Sequence, residues 1–131
     1  MNTEFARAKT LARLLYDEPT FEHAKRVAAR CETYGEQTVA WLHDIIEDTH
    51  CEFIDLAALG FCQDTILAVF HLTRRPQEPY FNYIARIKRA GDVALTVKLA
   101  DIIDNLTTRG ACPESLAQRY RQARANLLGE S

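Results

Sequence analysis

Apolar residues recur at intervals of three and four positions along most of this chain, and that periodicity constrains the fold more than any other feature of the sequence. Such spacing puts the apolar side chains on one face of an α-helix. Residues 96–99 resemble a short strand, but they continue a helical stripe. Glycine and proline, which interrupt helices, number only 5 and 4. The sequence therefore predicts an all-α fold of six to seven or more helices.

Residues that favour helix ends give approximate boundaries for these helices. A first helix is expected around residues 5–15. Thr20 is expected to cap a second helix, and Gly35 to end it. A third helix is expected over residues 36–48. The remaining helices are expected over residues 64–72, 79–90, 92–106 and 113–128, with a charged loop at residues 73–78.

Size and charge exclude several classes of protein. The chain has 131 residues, so we expect one domain over residues 1–131. Its 16 basic and 18 acidic residues argue against a general nucleic-acid or anionic-membrane binder. No apolar run approaches the ~20 residues of a membrane helix, and the first residues lack the apolar core of a secretory signal. We therefore expect a cytoplasmic protein without membrane or nucleic-acid partners, of undefined oligomeric state.

The segment at residues 41–50, WLHDIIEDTH, combines charged and strongly apolar residues. Its helical spacing predicts that His43, Asp44, Glu47 and Asp48 crowd about one turn of a buried helix. Burying these carboxylates together is costly unless positive charge lies among them. A divalent cation would supply that charge.

Two further apolar helices carry polar residues at core positions. The segment VKLADIIDNL, residues 97–106, contains Asp101 and Asn105 one turn apart, with Lys98 one turn earlier; His23 lies in the segment FEHAKRVA. A site built from two histidines and two aspartates would suit Mn²⁺, Fe²⁺ or Zn²⁺ better than Mg²⁺ or Ca²⁺.

Each of these residues also has an ordinary interpretation. His23 can be an interior or surface histidine, Asp101 can pair with Lys98, and Glu47 with Asp48 can form a solvated helix end. The metal hypothesis rests on their conjunction, because a histidine, a His-Asp pair and an aspartate follow one another, each in an apolar helix.

The order of these residues resembles that of the HD-domain superfamily of metal-dependent phosphohydrolases. Residues 40–49, AWLHDIIEDT, are similar to the ALLHDVVEDT box in the hydrolase half of RelA/SpoT enzymes, and residues 97–106 to their VKLADRLHNM box. Residues 18–28, EPTFEHAKRVA, resemble their G-x-PYIxHPxxVA segment. The resemblance covers residues 18–128, and the chain is similar in size to the stand-alone small alarmone hydrolases of this family.

This resemblance implies a fold, a reaction and a set of site residues. The fold would be a single HD-domain helical bundle. The reaction would be Mn²⁺-dependent removal of the 3′-pyrophosphate of the stringent-response alarmones ppGpp and pppGpp, giving GDP or GTP and pyrophosphate. The implied metal ligands are His23, His43, Asp44 and Asp101. The implied catalytic pair is Glu47 and Asp48, and the implied substrate contacts are Asn105 and, for the base, Arg13.

The leaving diphosphate requires cations, for which the chain offers several candidates. They are Lys98, Arg109, Arg119, Arg124, Arg74 and Arg75. We favour Arg119 and its neighbour Tyr120, because both lie on the face of the last helix nearest the helix of Asp101.

The chain departs from the family at Asp104, where a histidine or tyrosine is usual, and in the basic stretch before residue 18. These departures concern the base rather than the metal, so we expect looser base selection. Two alternatives to the alarmone hydrolase therefore stay open: an HD-fold phosphatase acting on another nucleotide or NADPH, and a nucleotide-sensing module without activity. The pair Glu47 and Asp48 counts against the sensor, which needs no water-activating carboxylates.

Overall fold

The computed structural model describes residues 3–108 and 112–130. Within these ranges the chain forms helices joined by turns, without strands, which confirms the predicted all-helical fold. The helices are α1 (Thr3–Leu15), α2 (Glu18–Ala29), α3 (Tyr34–Leu42), α4 (Ile45–Asp48), α5 (Phe53–Ala58), α6 (Gln63–Leu72), α7 (Tyr80–Ala90), α8 (Asp92–Thr107) and α9 (Glu114–Leu128). None of these described helices combines the length and apolar character needed to cross a membrane.

Two predicted boundaries in the first half of the chain are wrong. The N-cap of α2 is Asp17 and not Thr20, because the Asp17 side chain accepts a hydrogen bond from the Thr20 backbone N–H at 2.9 Å. Gly35 does not end α2; it lies in the first turn of α3, where Thr33 and Glu36 form a capping box. The side chains that satisfy the first N–H groups therefore set both helix starts.

The third predicted helix, residues 36–48, is divided in the structure into α3 and α4. In a continuous helix the carbonyls of Ala40 and Trp41 would accept hydrogen bonds from backbone N–H groups four residues later. Instead, Ala40 O accepts from ring Nδ1 of His43 at 2.6 Å, and Trp41 O accepts from the Tyr16 hydroxyl at 2.8 Å. Ala40 O also accepts from the His43 backbone N–H, three residues later, at 3.4 Å, so the four-residue pattern of hydrogen bonds stops and α3 ends at this point.

The central helices are α3 and α8, and their packing brings three distant segments together. Helix α3 contacts α1, α2, α6 and α8, while α8 also contacts α2, α6, α7 and α9. The core between them includes the fully buried side chains of Val27, Leu42, Ile45, Val97 and Ile102. Each such side chain contributes about 1.5–3 kcal/mol on burial. The segments predicted to supply metal ligands are thus held by the hydrophobic core.

The predicted loop at residues 73–78 is a loop in the structure and is fixed by one arginine. Arg86 of α7 donates hydrogen bonds to the carbonyls of His71 and Thr73 at 3.0 Å each. It also forms an ion pair with Glu78 at 2.9 Å. Arg86 thereby satisfies the last carbonyls of α6 and positions the loop beside α4.

Candidate metal centre and its cavity

The four residues that the sequence predicted as ligands meet where α2, the α3–α4 turn and α8 come together. His23 Nε2 lies 2.7 Å from Asp101 Oδ1 and 3.8 Å from Asp44 Oδ2. His43 Nε2 lies 3.2 Å from Asp44 Oδ2 and 3.3 Å from Asp101 Oδ1. Ligand atoms of His23, His43 and Asp44 lie within 4.8 Å of one another, so these three residues can hold a metal ion. Asp101 contacts both imidazoles of the group.

The other ring nitrogen of each histidine is held by an acceptor. Nδ1 of His43 lies 2.6 Å from Ala40 O, and Nδ1 of His23 lies 2.6 Å from Asp104 Oδ2. Because a carbonyl and an ionised carboxylate only accept, both histidines carry a proton on Nδ1. Each Nε2 then faces carboxylate oxygens, and either a proton or a cation must lie between them. Metal-binding histidines are oriented in this way through their second nitrogen.

Most of the distances between the histidine nitrogens and the carboxylate oxygens are those expected for ligands that share one metal ion. Metal–ligand bonds of about 2.1 Å place neighbouring ligand atoms about 3 to 4 Å apart. The distances of 3.2, 3.3 and 3.8 Å fall in that range. The 2.7 Å distance from His23 Nε2 to Asp101 Oδ1 is that of a direct hydrogen bond. The donor set therefore fits a divalent ion bound by imidazole nitrogen and carboxylate oxygen.

The electrostatics of the group favour positive charge at its centre. Burial disfavours the charged form of His43, yet Asp44 and Asp101 raise its pKa well above the ordinary value. Burial also opposes ionisation of Asp44, but His43 holds the pKa of that carboxyl below its usual range. For Asp101 the effect of burial is outweighed by Lys98 and both histidines, so its pKa lies well below the usual range. Both aspartates are thus ionised at neutral pH.

Two aspartates of α8 each have a cation of their own. Lys98 Nζ donates to Asp101 Oδ2 at 2.9 Å, and Arg26 Nε donates to Asp104 Oδ1 at 2.8 Å. Asp104 is fully buried, and although burial raises its pKa, the hydrogen bonds from Arg26 and His23 lower it below the ordinary value. In the sequence, Asp104 was distinguished only as a departure from the family. Its position three residues after Asp101, on the same helix face, is the signal that could have identified it.

A cavity of about 250 Å³ lies beside the cluster and opens to solvent. Its wall includes three of the predicted ligands, both members of the predicted catalytic pair and five of the predicted substrate residues. These are His43, Asp44, Asp101, Glu47, Asp48, Lys98, Asn105, Arg119, Tyr120 and Arg74, and the wall is completed by Tyr80 and Tyr83. Tyr80 and Tyr83 lie in the helix predicted over residues 79–90 and were not predicted as site residues. Most of the predicted site therefore surrounds one space.

The predicted catalytic pair lies on α4 and faces the solvent-exposed part of this cavity. The prediction that Glu47 and Asp48 share one helix turn with His43 is wrong, because the helix is divided before α4. Glu47 Oε2 accepts a hydrogen bond from the Arg74 backbone N–H at 2.7 Å. Partial burial raises the pKa of Glu47 above the ordinary value, against the lowering effect of that hydrogen bond. Within the described ranges, neither residue belongs to the converging ligand group.

Several predicted cations do not reach the cavity. The Arg13 guanidinium packs 4.4 Å from the centre of the Phe21 ring and is not part of the cavity wall. Arg75 packs on Phe70 at 5.6 Å, and Arg124 is exposed on α9. Arg109 lies outside the described residues. Arg13, the predicted base contact, therefore lies outside the cavity.

Neither a protein-family model nor a curated protein matches this chain. The class of protein is therefore described from its fold and its site alone. The class is an all-helical protein with a buried His–Asp centre that can hold a metal ion, next to a cavity lined by carboxylates, cations and phenols.

Proposed function

We propose that the chain is an HD-domain metal-dependent phosphohydrolase that uses Mn²⁺ to convert ppGpp or pppGpp into GDP or GTP and pyrophosphate. The observation that carries the proposal is the orientation of His23 and His43. Acceptors at both Nδ1 atoms turn both Nε2 atoms toward Asp44 and Asp101, beside the cavity. The similarity of residues 40–49 and 97–106 to the RelA/SpoT boxes supports the choice of substrate.

The ion would be held by His23, His43, Asp44 and Asp101. Two nitrogen and two oxygen donors suit Mn²⁺, Fe²⁺ or Zn²⁺. When bound, such an ion supplies positive charge that polarises a phosphoryl oxygen and lowers the pKa of water.

Glu47 is the proposed proton acceptor for the attacking water. Its raised pKa, caused first by partial burial, brings it closer to the range in which a general base works well at neutral pH. The Arg74 backbone N–H holds Oε2, and the other carboxylate oxygen receives no donor from the described part of the chain. Asp48, its neighbour on α4, also lines the cavity and is proposed to orient the water.

Lys98 and Asn105 are proposed to position the substrate beside the ion. Burial disfavours the charge on Lys98, but Asp101 raises its pKa well above the ordinary value, so the ammonium group persists. The Asn105 amide donates to Asp101 Oδ1 at 3.3 Å. Because much of the Lys98 charge is balanced by Asp101, binding of a polyanion needs additional cations from the wall.

A second candidate is hydrolysis of another nucleotide or of NADPH by the same centre. The location of Arg13 against Phe21 favours it, because the cation expected to hold guanine lies away from the cavity.

The test is product analysis with purified protein, Mn²⁺ and ppGpp, followed by anion-exchange chromatography. We expect GDP and pyrophosphate in equal amounts, and neither GMP nor free phosphate. No turnover of ppGpp, together with phosphate release from NADPH or another nucleotide, would favour the second candidate. Nucleotide binding without turnover of any of these compounds would contradict an enzymatic function and favour the sensing module.

A further inference from the structure

One wall of the cavity contains a tyrosine whose ring is contacted by two arginines. The Arg119 guanidinium of α9 lies 4.0 Å from the centre of the Tyr80 ring, and the Arg74 guanidinium of the 73–78 loop lies 5.5 Å from it. All three side chains line the cavity. Cation–π attraction thus holds each of the two guanidinium groups against the same ring.

These two arginines differ from the other cations around the site in their charge balance. Lys98 pairs with Asp101, Arg26 with Asp104 and Arg86 with Glu78, each within 2.9 Å. Arg74 and Arg119 form no ion pair with a carboxylate of residues 3–108 or 112–130. Their positive charges are therefore available to an anion that enters the cavity.

Two buried donors of the same wall also have no acceptor among the described residues. They are the Tyr80 hydroxyl and Nε of Arg119. Tyr80 is only 9 % exposed, so bulk water does not compensate for the missing hydrogen bond. Buried polar groups in folded proteins nearly always have a partner, and each exception needs an explanation. An anionic oxygen in the cavity would accept from both groups.

We propose that Arg74, Tyr80 and Arg119 form an anion subsite, separate from the metal ligands, that binds a second phosphoryl group of the substrate. This inference rests on the proposed function and defines its substrate class as compounds with two phosphoryl groups. One group would lie at the metal centre and the other against the wall formed by Tyr80 and the two guanidinium groups. Arginine suits this role because its planar fork of donors matches phosphate oxygens.

The size of the cavity indicates that the base of a nucleotide substrate would not be enclosed. The cavity has a volume of about 250 Å³. That space accommodates two phosphoryl groups, but it is smaller than the 300–1,000 Å³ typical of pockets that enclose a whole ligand. The sugar and base would therefore extend beyond the mouth, so that phosphate groups rather than the base determine which substrates bind.

Titration calorimetry of inorganic pyrophosphate into the purified full chain, with chelator present, tests the subsite without turnover. We expect salt-sensitive binding that Arg119→Gln weakens by about tenfold, because a charge-assisted contact is lost. Tyr80→Phe, which keeps the ring, is expected to weaken binding severalfold. Arg121→Gln on the same helix and Tyr34→Phe, both at exposed positions, are the matched controls and should bind as the wild type does.

Pyrophosphate binding that is absent, or that is equal in the wild type and Arg119→Gln, would overturn the subsite. Circular dichroism shows whether each variant is folded, and Arg119→Lys, which keeps the charge but not the fork, should bind with intermediate affinity. Because this titration contains neither Mn²⁺ nor a nucleotide, its outcome is independent of whether the proposed hydrolysis occurs.

Kinetics with Mn²⁺ then identify which phosphoryl group occupies the subsite. A higher KM with unchanged kcat in Arg119→Gln indicates a group that does not react, whereas a lower kcat indicates the 3′-diphosphate that water attacks. The adenine analogue of ppGpp should be hydrolysed within about tenfold of ppGpp, since only a base held by hydrogen bonds is selected by 10⁴-fold or more. Selection for guanine of that size would contradict the proposed substrate class.

Discussion

Two segments of this protein have nearly the same sequence and different structures. Residues 44–48 read DIIED, and residues 101–105 read DIIDN. The first segment begins in the turn between α3 and α4 and lines the mouth of the cavity, while the second lies inside the continuous helix α8. Both begin with an aspartate that contacts His43.

The difference lies in the cations that the fold supplies to each acidic residue. Asp101 pairs with Lys98 and the fully buried Asp104 pairs with Arg26. Asp44 is partly exposed, and within the described ranges its charged partners are the two histidines alone. Asp104, whose charge is balanced by Arg26 away from the cavity, can be buried for structural reasons, whereas Asp44 and Asp101 both face the histidines and are the proposed ligands. The comparison therefore separates Asp104, which holds His23 in place, from the carboxylates that face the candidate metal centre.

The largest expected effect is that of Asp101→Asn. Asp101 contacts both imidazoles, so replacing its charge should remove most bound metal and nearly all hydrolytic activity. Metal analysis of the purified variant, together with turnover in Mn²⁺, checks this. Full metal occupancy with normal turnover would remove Asp101 from the proposed ligand set.

Glu47→Gln should abolish turnover without loss of the metal. The carboxylate lies outside the ligand group and is proposed to accept a proton, so the rate should fall by about 10²–10⁴-fold. Asp48→Asn should behave similarly. Loss of the metal to the extent expected for Asp101→Asn would instead identify the replaced residue as a ligand.

Asp104→Ala should destabilise the fold by about 3 kcal/mol, because it leaves the Arg26 charge and the His23 Nδ1 proton without their buried partner. Asp48→Ala, at an exposed position of the other segment, should change stability by less than about 0.5 kcal/mol. Urea unfolding of both variants measures the contrast. Equal effects would mean that burial and cation pairing do not distinguish the two segments.

The smallest expected effect concerns the Arg86–Glu78 pair that fixes the loop of Arg74. Hydrogen bonding to Arg86 lowers the pKa of Glu78 from 4.5 to about 2. A lowered folded-state pKa contributes stability that is present above pH 4.5 and lost as the pH falls toward 2, by roughly 2 kcal/mol. Unfolding measured across this range should show that loss in the wild type and less of it in Glu78→Gln.

The helical fold and the convergence of the proposed ligands could be predicted because both depend on patterns among residues close together in the sequence. A few neighbouring residues are enough to identify a polar or charged residue within an apolar stripe, as for His23, His43 and Asp101. Such a residue needs a polar partner when the stripe is buried. The same reasoning applies to the predicted cavity residues Lys98 and Asn105, which lie one turn from Asp101.

Features that depend on distant partners were not predicted. The end of α3 depends on the Tyr16 hydroxyl, 25 residues away from Trp41, and the burial of Asp104 depends on Arg26, 78 residues away. The periodicity of α7 identifies Tyr80 as apolar, but only the packing of α9 reveals that its ring lies under Arg119. Conversely, the contact of Arg13 with Phe21 places a predicted substrate residue outside the cavity.

The central claim is that His23, His43, Asp44 and Asp101 hold one divalent ion. Titration of Mn²⁺ into metal-free protein, followed by loss of the electron paramagnetic resonance signal of the free ion, tests it most directly. We predict one bound ion per chain in the wild type and in His50→Ala, which changes an exposed histidine of the same segment, and loss of that binding in His43→Ala. Binding that is equally strong in His43→Ala, or no binding by the wild type, would contradict the account.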